Sequence, residues 1–206
     1  DKILEEFHQS MADFLNATSS EEIIFGQNMT TLTLHISRSI GRLLSKGDEI
    51  ILSRMDHDAN ISPWLLLAED IGLSVKWLSF DTEKYEFDLN CLENLLSDKT
   101  KIICIGGASN LLGTINDIKS ICKIAKKVNA LTYIDAVQLA PHVSIDVQDI
   151  DCDFLVCSAY KFFGPHQGIL WGKRKLLKSL SPYKVRPATS ELPGCFETGT
   201  QSHEGM

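Results

Sequence analysis

The chain has 206 residues, of which 44% are hydrophobic, and it carries a formal net charge of −7. This length can bury the core of one ordinary domain, and the acidity excludes the basic surface that binds nucleic acid or an anionic membrane. No apolar run reaches the roughly 20 residues that cross a bilayer, and the first residues lack the charged and apolar regions of a secretory signal.

The cysteines point to a reducing compartment. There are six of them and no C-x-x-C spacing, which argues against a structural zinc site. Cys104 and Cys157 lie inside apolar runs and resemble small buried hydrophobic residues. We therefore expect a reduced, cytoplasmic protein with no bound metal.

Predicted strands and helices alternate along the chain. In chain order they are a strand at 22–25, a helix at 29–46, a strand at 49–53, a helix at 61–71, a strand at 74–80, a helix at 89–96, a strand at 101–105, a helix at 118–128, and strands at 131–134, 154–158 and 168–171. Several strands are nearly continuous apolar runs, which is typical of a sheet covered on both faces. The pattern predicts an α/β domain with a mostly parallel sheet of seven strands.

The two ends of the chain differ from this alternation. Residues 1–20 are predicted to be an N-terminal helical segment, and residues 181–206 a loop that leads toward a further domain. In open α/β sheets ligands bind at the carboxyl ends of the strands, so the loops that follow each strand are where functional residues are expected.

Two of these loops could bind an anion or a flat ring. Met29 and Thr30 begin the predicted helix at 29–46, where free N–H groups and the helix dipole favour a phosphate, although Asn28 could be simply a helix cap. His57 follows the strand at 49–53. It could stack on a ring, act as a base, bind a metal with Asp56 or Asp58, or lie on the surface without a role.

Three further loops add polar groups. Asn110 lies in a glycine-containing loop and could donate to a ligand oxygen. Asp135 ends an apolar strand, so its carboxylate is expected to be partly buried and to need a partner such as a protonated pyridine nitrogen. Lys161 follows another buried strand among aromatic residues, and desolvation there would lower its pKa and make it a nucleophile for an imine. An aspartate and an imine-forming lysine are the pair that holds pyridoxal 5′-phosphate (PLP).

Five stretches of the sequence resemble class V aminotransferases, in particular the branch of cysteine desulfurases and selenocysteine lyases. They are DHDANISPW at 56–64, SNLLGTIN at 109–116, YIDAVQLAPH at 133–142, DFLVCSAYKFFGPHQGILWG at 153–172 and FETGT at 196–200. The resemblance covers about residues 20–205. It implies a three-layer α/β/α sandwich, the large PLP-binding domain of these enzymes, spanning residues 1–206 but incomplete.

The resemblance also implies roles for individual residues. Lys161 holds PLP as a Schiff base and moves protons at the substrate, Asp135 keeps the pyridine nitrogen protonated, and His57 stacks on the ring. The remaining implied contacts are Asn110 and Gln138 near the ring oxygen or the substrate; Met29, Thr30, Ser158 and Tyr160 near the phosphate; and Thr200 at the phosphate of a partner subunit. The implied partners are an amino-acid substrate, a second copy of the chain and a sulfur-acceptor protein.

Some positions depart from the family pattern. Tyr160 stands where a histidine usually precedes the lysine, and none of the six cysteines occupies the place of the cysteine that takes sulfur. The small domain with the arginine for the substrate carboxylate is expected beyond Met206. Three alternatives stay open: a class V aminotransferase with another substrate, a non-catalytic dimerisation module, and a nucleotide-binding domain. No glycine-rich nucleotide motif supports the last of these.

Overall fold

The computed structural model describes residues 2–206. Its strands are β1 (Ile23–Gly26), β2 (Glu49–Ser53), β3 (Ser74–Leu78), β4 (Thr100–Gly106), β5 (Leu131–Asp135), β6 (Phe154–Ser158) and β7 (Gly168–Gly172). Its helices are α1 (Lys2–Leu15), α2 (Met29–Gly41), α3 (Ser62–Ile71), α4 (Leu89–Leu95), α5 (Ile118–Lys126), α6 (Val147–Ile150) and α7 (Arg174–Ser179). Residues 181–206 form turns without a helix or strand.

All seven strands form one sheet in the order β1-β7-β6-β5-β4-β2-β3. Strand β7 runs antiparallel to both β1 and β6, and the remaining neighbours are parallel. The predicted α/β fold with a mostly parallel seven-stranded sheet is therefore confirmed. Within the sheet, the registers place Asp135 beside Gly106 and Val156, at the carboxyl ends of three adjacent strands.

Helices cover both faces of the sheet. On one face α2 and α3 pack on a core that includes Ile50, Tyr133 and Phe154. On the other face α1, α5 and α6 pack on residues such as Ile134 and Leu155, and α4 joins α5 over β2 to β4. Burial on both faces explains why the strands are continuous apolar runs rather than alternating patterns.

Helix α2 is shorter than predicted. The sequence indicated a helix to residue 46, whereas α2 ends at Gly41. A Cβ atom on Gly41 would lie 2.4 Å from Leu67 Cδ1, so glycine is what lets α3 approach α2 at this point. Glycine is also a poor helix former, and the next residues make shorter-range turn bonds from Leu43 and Leu44 back to Ile40 and Gly41.

The start of α2 is fixed by a second close approach. A Cβ atom on Gly168 would lie 2.5 Å from the carbonyl carbon of Asn28. Only glycine therefore allows β7 to lie directly against the turn that begins α2. Asn28 caps the helix, because its Oδ1 accepts the N–H of Thr31 at 2.9 Å. The helix cap considered from the sequence is thus present, and it orients the first turn of α2 at the carboxyl edge of β6.

A buried ion pair attaches the C-terminal segment to the sheet. His8 Nε2 of α1 lies 2.8 Å from Glu197 Oε1, and the same oxygen accepts the N–H of Phe25 in β1 at 2.8 Å. His8 also bonds the carbonyl oxygen of Leu4 through Nδ1. Burial opposes the charged form of His8, but the Glu197 carboxylate outweighs it, and the pKa of His8 is raised above its usual value.

This pair predicts a pH-dependent contribution to stability. A histidine whose pKa is raised by folding stabilises the folded state below its unfolded pKa and loses that contribution as pH rises through the folded pKa. Glu197→Gln should therefore lower the free energy of unfolding most near pH 6 and progressively less toward pH 9. Urea unfolding at several pH values measures this, with the exposed Glu191→Gln as the control. A deficit that stays constant from pH 6 to pH 9 would contradict the ion pair.

Candidate active site

A cleft opens at the carboxyl edge of the sheet, above β4, β5 and β6. It encloses about 650 Å³ of empty space, open solvent included. Nine of the ten site residues predicted from the sequence line it: Met29, Thr30, His57, Asn110, Asp135, Gln138, Ser158, Tyr160 and Lys161. The topology alone explains this, since the loops after parallel strands meet at one edge.

The first turn of α2 forms an anion-binding corner of the cleft. The N–H of Met29 donates to Ser158 Oγ at 3.1 Å, which joins the helix to the end of β6. The N–H of Thr30 has no acceptor within residues 2–206, and its exposed hydroxyl adds another donor. The free N–H of Thr30, two hydroxyls and the positive end of the helix dipole suit a phosphate group.

Asp135 forms the floor of the cleft. Its side chain is buried, and its Oδ1 accepts the N–H of Val137 at 2.9 Å. No donor among residues 2–206 reaches its Oδ2, which is thus available to a ligand. Burial raises the pKa of Asp135 to about 6, while the Val137 N–H and the nearby His57 lower it. The carboxylate is therefore mainly ionised at neutral pH and suited to a cationic N–H.

His57 begins the short helical turn Asp58–Asn60. Its Nδ1 accepts the N–H of Ala59 at 3.1 Å, so the neutral ring carries its proton on Nε2. Neither Asp56 nor Asp58 joins His57 in a metal site, because residues 2–206 contain no group of three or more histidine, cysteine or acidic side chains that could hold a metal ion. The exposed ring is free to contact a ligand in the cleft.

Lys161 lies in the turn Ala159–Phe162 that follows β6, and its side chain is exposed. The expectation of a desolvated lysine among aromatic residues was wrong. Phe162 turns toward α1, where it packs on Phe14 with ring centroids 5.0 Å apart, and Phe163 is fully exposed at a positive φ of 66°. Neither phenylalanine therefore covers the lysine.

Tyr160 replaces the histidine expected before the lysine. Its ring stacks on His166 with centroids 5.2 Å apart, and Lys161 Nζ lies 5.4 Å from the Tyr160 centroid. Asn110 and Gln138 also line the cleft, and their amide groups make no hydrogen bond within residues 2–206. Both amides are free to bind a ligand.

Thr200 is the one predicted site residue that does not line the cleft. It lies in a neighbouring groove with Thr31, His35 and Phe196, and only Asn28 borders both spaces. Within the chain its side chain therefore does not serve this cleft. The sequence prediction assigned Thr200 to the site of a partner subunit.

Asp56 is a site residue whose importance the sequence did not reveal. It lines the cleft and accepts hydrogen bonds from Ser53, Asn60 and Gly106. Burial raises its pKa to about 7, and the charge of Asp135 contributes in the same direction. The sequence places an acidic residue beside His57, but only the fold shows that it turns inward, toward β4.

The cleft and the fold together define an α/β domain with an anion corner, a buried carboxylate and a lysine on one edge of the sheet. The family model for class V aminotransferases matches residues 1–204. The chain belongs to the class V aminotransferase family.

Relatives within the family are named as cysteine desulfurases. One from Pectobacterium carotovorum subsp. carotovorum (strain PC1) is 39% identical over 98% of this chain, and one from Yersinia pestis (strain Pestoides F) is 38% identical over the same share. The match takes up 53% of each relative, so the chain spans about half the length of the curated relatives it matches.

Solved structures of cysteine desulfurases have a similar fold. The cysteine desulfurase CsdA from Escherichia coli has a TM-score of 0.94 at 28% identity and is matched over 99% of this chain and 54% of its own. A cysteine desulfurase from Thermococcus onnurineus NA1 has a TM-score of 0.93 at 28% identity with the same coverage. A C-DES mutant with glycine covalently linked to its PLP cofactor, at 19% identity, shows the fold alone.

The raised pKa of Asp135 predicts how its removal changes stability. A buried acid with a raised pKa destabilises the folded state increasingly as pH rises from the unfolded pKa through the folded one. Asp135→Asn, whose amide oxygen still accepts the Val137 N–H, should therefore stabilise the protein without ligand. We expect the gain to be about 2 kcal/mol larger at pH 8 than at pH 4.5.

Denaturant unfolding of the two proteins at both pH values measures this difference. The exposed Asp58→Asn serves as the control, with an equal effect at both values. A gain from Asp135→Asn that does not depend on pH would show that the carboxyl group titrates normally.

Proposed function

We propose that the chain is the PLP-binding part of a PLP-dependent enzyme that acts on an amino acid, with cysteine desulfurase or selenocysteine lyase chemistry as the best-supported activity. The observation that carries the proposal is the presence of Asp135 and Lys161 in one cleft, with an oxygen of Asp135 left free. An aspartate and a lysine are the two protein groups that PLP requires most.

The remaining donors fit the other parts of the cofactor. The first turn of α2, together with Ser158 and the phenol of Tyr160, suits the phosphate. The exposed imidazole of His57 suits the face of the ring. Asn110 and Gln138 suit the ring oxygen or the substrate. PLP supplies an electron sink for bonds at the substrate α-carbon. In that chemistry Asp135 holds a proton on the ring nitrogen, and Lys161 accepts and returns protons at the α-carbon.

Desulfurase specificity is supported by the relatives rather than by the cleft. Of the six cysteines, Cys91 is exposed, the other five are buried, and none lines the cleft. The residue that accepts sulfur in such chemistry is therefore expected outside residues 2–206. Transfer to a sulfur-acceptor protein and a cytoplasmic location, consistent with six free thiols, belong to the same proposal.

The cofactor proposal predicts a covalent adduct at one lysine. The chain is mixed with PLP, reduced with borohydride and mapped by mass spectrometry. Lys161 should carry the modification in near-stoichiometric yield, and Lys161→Ala should lose it together with the visible absorption of the complex. The exposed Lys175→Ala is the matched control and should be modified at Lys161 like the unaltered chain.

Adducts scattered over surface lysines would contradict PLP binding in the cleft and favour the non-catalytic alternative. Sulfide release from cysteine by the full-length protein, with a dithiol added as the two-electron reductant, then tests the reaction. Sulfide formation that Lys161→Ala abolishes supports the desulfurase activity, whereas amino-group transfer without sulfide favours an aminotransferase with another substrate.

A homodimer with Thr200 at the partner's cofactor phosphate completes the proposal. Thr200 is exposed in the groove beside the start of α2 and outside its own cleft, as a residue that serves a second copy must be. In the full-length protein, Thr200→Ala should weaken PLP binding about ten-fold, the order expected for a lost hydrogen bond to a charged group, and Thr198→Ala should not. A monomer in sedimentation analysis, or equal affinities, would contradict this arrangement.

None of the helices within residues 2–206 is both long enough and apolar enough to span a bilayer.

A further inference from the structure

Asp56 makes three hydrogen bonds, and all of them come from the protein. Ser53 Oγ donates to Oδ1 at 3.1 Å, Asn60 Nδ2 donates to Oδ2 at 2.9 Å, and the N–H of Gly106 donates to Oδ2 at 2.9 Å. No lysine, arginine or histidine within residues 2–206 forms an ion pair with it. Burying a carboxyl group without a cationic partner costs folding free energy, so we expect its hydrogen bonds to have a structural or functional role.

These bonds close the loop that carries His57. Ser53 and Asn60 lie on either side of Asp56 in the sequence, so their bonds draw residues 53–60 into a compact turn. The turn is extended into α3, because Asn60 Oδ1 accepts the indole N–H of Trp64 at 3.3 Å. The imidazole of His57 projects from this turn, and its tautomer is set inside it by the Ala59 N–H.

The bond from Gly106 fixes the same turn to the sheet. Gly106 is the last residue of β4 and lies in register with Asp135 of β5. A Cβ atom at Gly106 would lie 3.0 Å from Asp56 Oδ1, so the close approach of the carboxyl group depends on the glycine. Asp56 and Asp135 therefore flank the end of β4, and His57 is held on the Asp135 side of the cleft.

We propose that Asp56 is a positioning residue that anchors the His57 turn to the end of β4 and thereby holds the imidazole over the Asp135 floor of the cofactor site. The inference deepens the proposed PLP function and rests on it. It assigns to Asp56 no contact with substrate, since Asp56 acts through His57.

The charge balance around Asp56 agrees with this role. Its titratable neighbours are Asp135 on β5, the buried Cys104 on β4 and His57 on its own turn. Burial and the negative charge of Asp135 raise the pKa of Asp56 to about 7. Burial and the Asp135 charge thus both favour the protonated form of Asp56, which does not compete with Asp135 for a cationic ligand.

The test uses the ring nitrogens of His57, which report its position before any cofactor is added. In the unaltered chain without PLP, ¹⁵N chemical shifts should show the proton on Nε2, with His57→Gln identifying the signal. Asp56→Ala removes all three bonds and should give a mixture of tautomers. Asp56→Asn keeps an oxygen for Gly106 and Asn60 and can donate to Ser53, so it should restore the Nε2–H form.

PLP affinity gives the second readout. Asp56→Ala should weaken binding about ten-fold, the order expected when buried donors lose their acceptor, and Asp56→Asn should stay within about two-fold. Asp58→Ala is the matched control, because Asp58 adjoins His57 on the other side, is exposed and bonds only Ser62 through its side chain. If Asp56→Ala does not fold, Asp56→Ser, which is too short to reach Gly106, replaces it.

Two results would overturn the inference: an unchanged His57 tautomer and PLP affinity in the shortened variant, or an asparagine variant as impaired as the shortened one. The tautomer is measured without PLP, so failure of the Asp56 role is distinguishable from failure of PLP to modify Lys161.

Discussion

Burial of β5 in the middle of the sheet is the constraint on which the rest of the structure depends. Four of its five residues are buried, and β4 and β6 flank it on either side. The strand ends on Asp135, so the sheet presents a carboxylate at its edge with little access to water. The other groups of the cleft reach this edge from the segments that follow β1, β2, β4, β5 and β6.

The free-energy cost of burying the Asp135 carboxylate favours the binding of a cationic group beside it. An acid in a poorly solvated position gains from a hydrogen-bonded cation, and within residues 2–206 the one donor to the Asp135 side chain is the Val137 N–H. In the proposed PLP complex, a protonated pyridine ring would satisfy the other oxygen while the α2 corner would receive the phosphate. Asp135 ends β5 and the anion corner begins α2, so regular elements rather than loops position both groups.

Much of this arrangement was predictable from the sequence because strand ends carry the functional residues. Asp135 and Lys161 each follow an apolar run, and a parallel sheet necessarily brings such ends together. The cleft therefore gathers nine predicted residues. The ends of the helices and strands were predicted less accurately than their order. Helix α2 ends five residues before the predicted bound, at Gly41, because glycine is a poor helix former and the next residues form shorter-range turns.

Two features of the site depend on three-dimensional detail that sequence patterns lack. The exposure of Lys161 reflects the placement of the two phenylalanines that follow it: Phe162 packs on Phe14 of α1, and Phe163 is exposed. The role of Asp56 depends on Gly106, fifty residues away in the chain, whose N–H and missing Cβ admit the carboxyl group. Neither feature produces a periodic pattern in the sequence, because each depends on single contacts between residues that are distant in the chain.

The protonation state of the bound ring nitrogen tests the central claim most directly. PLP labelled with ¹⁵N at that position is added to the chain, and its chemical shift is followed from pH 6 to pH 8. The account predicts a protonated nitrogen throughout, held by Asp135, and a shift toward the neutral value in Asp135→Asn. A neutral nitrogen in the unaltered chain at pH 7, or a signal that matches free PLP, would contradict it.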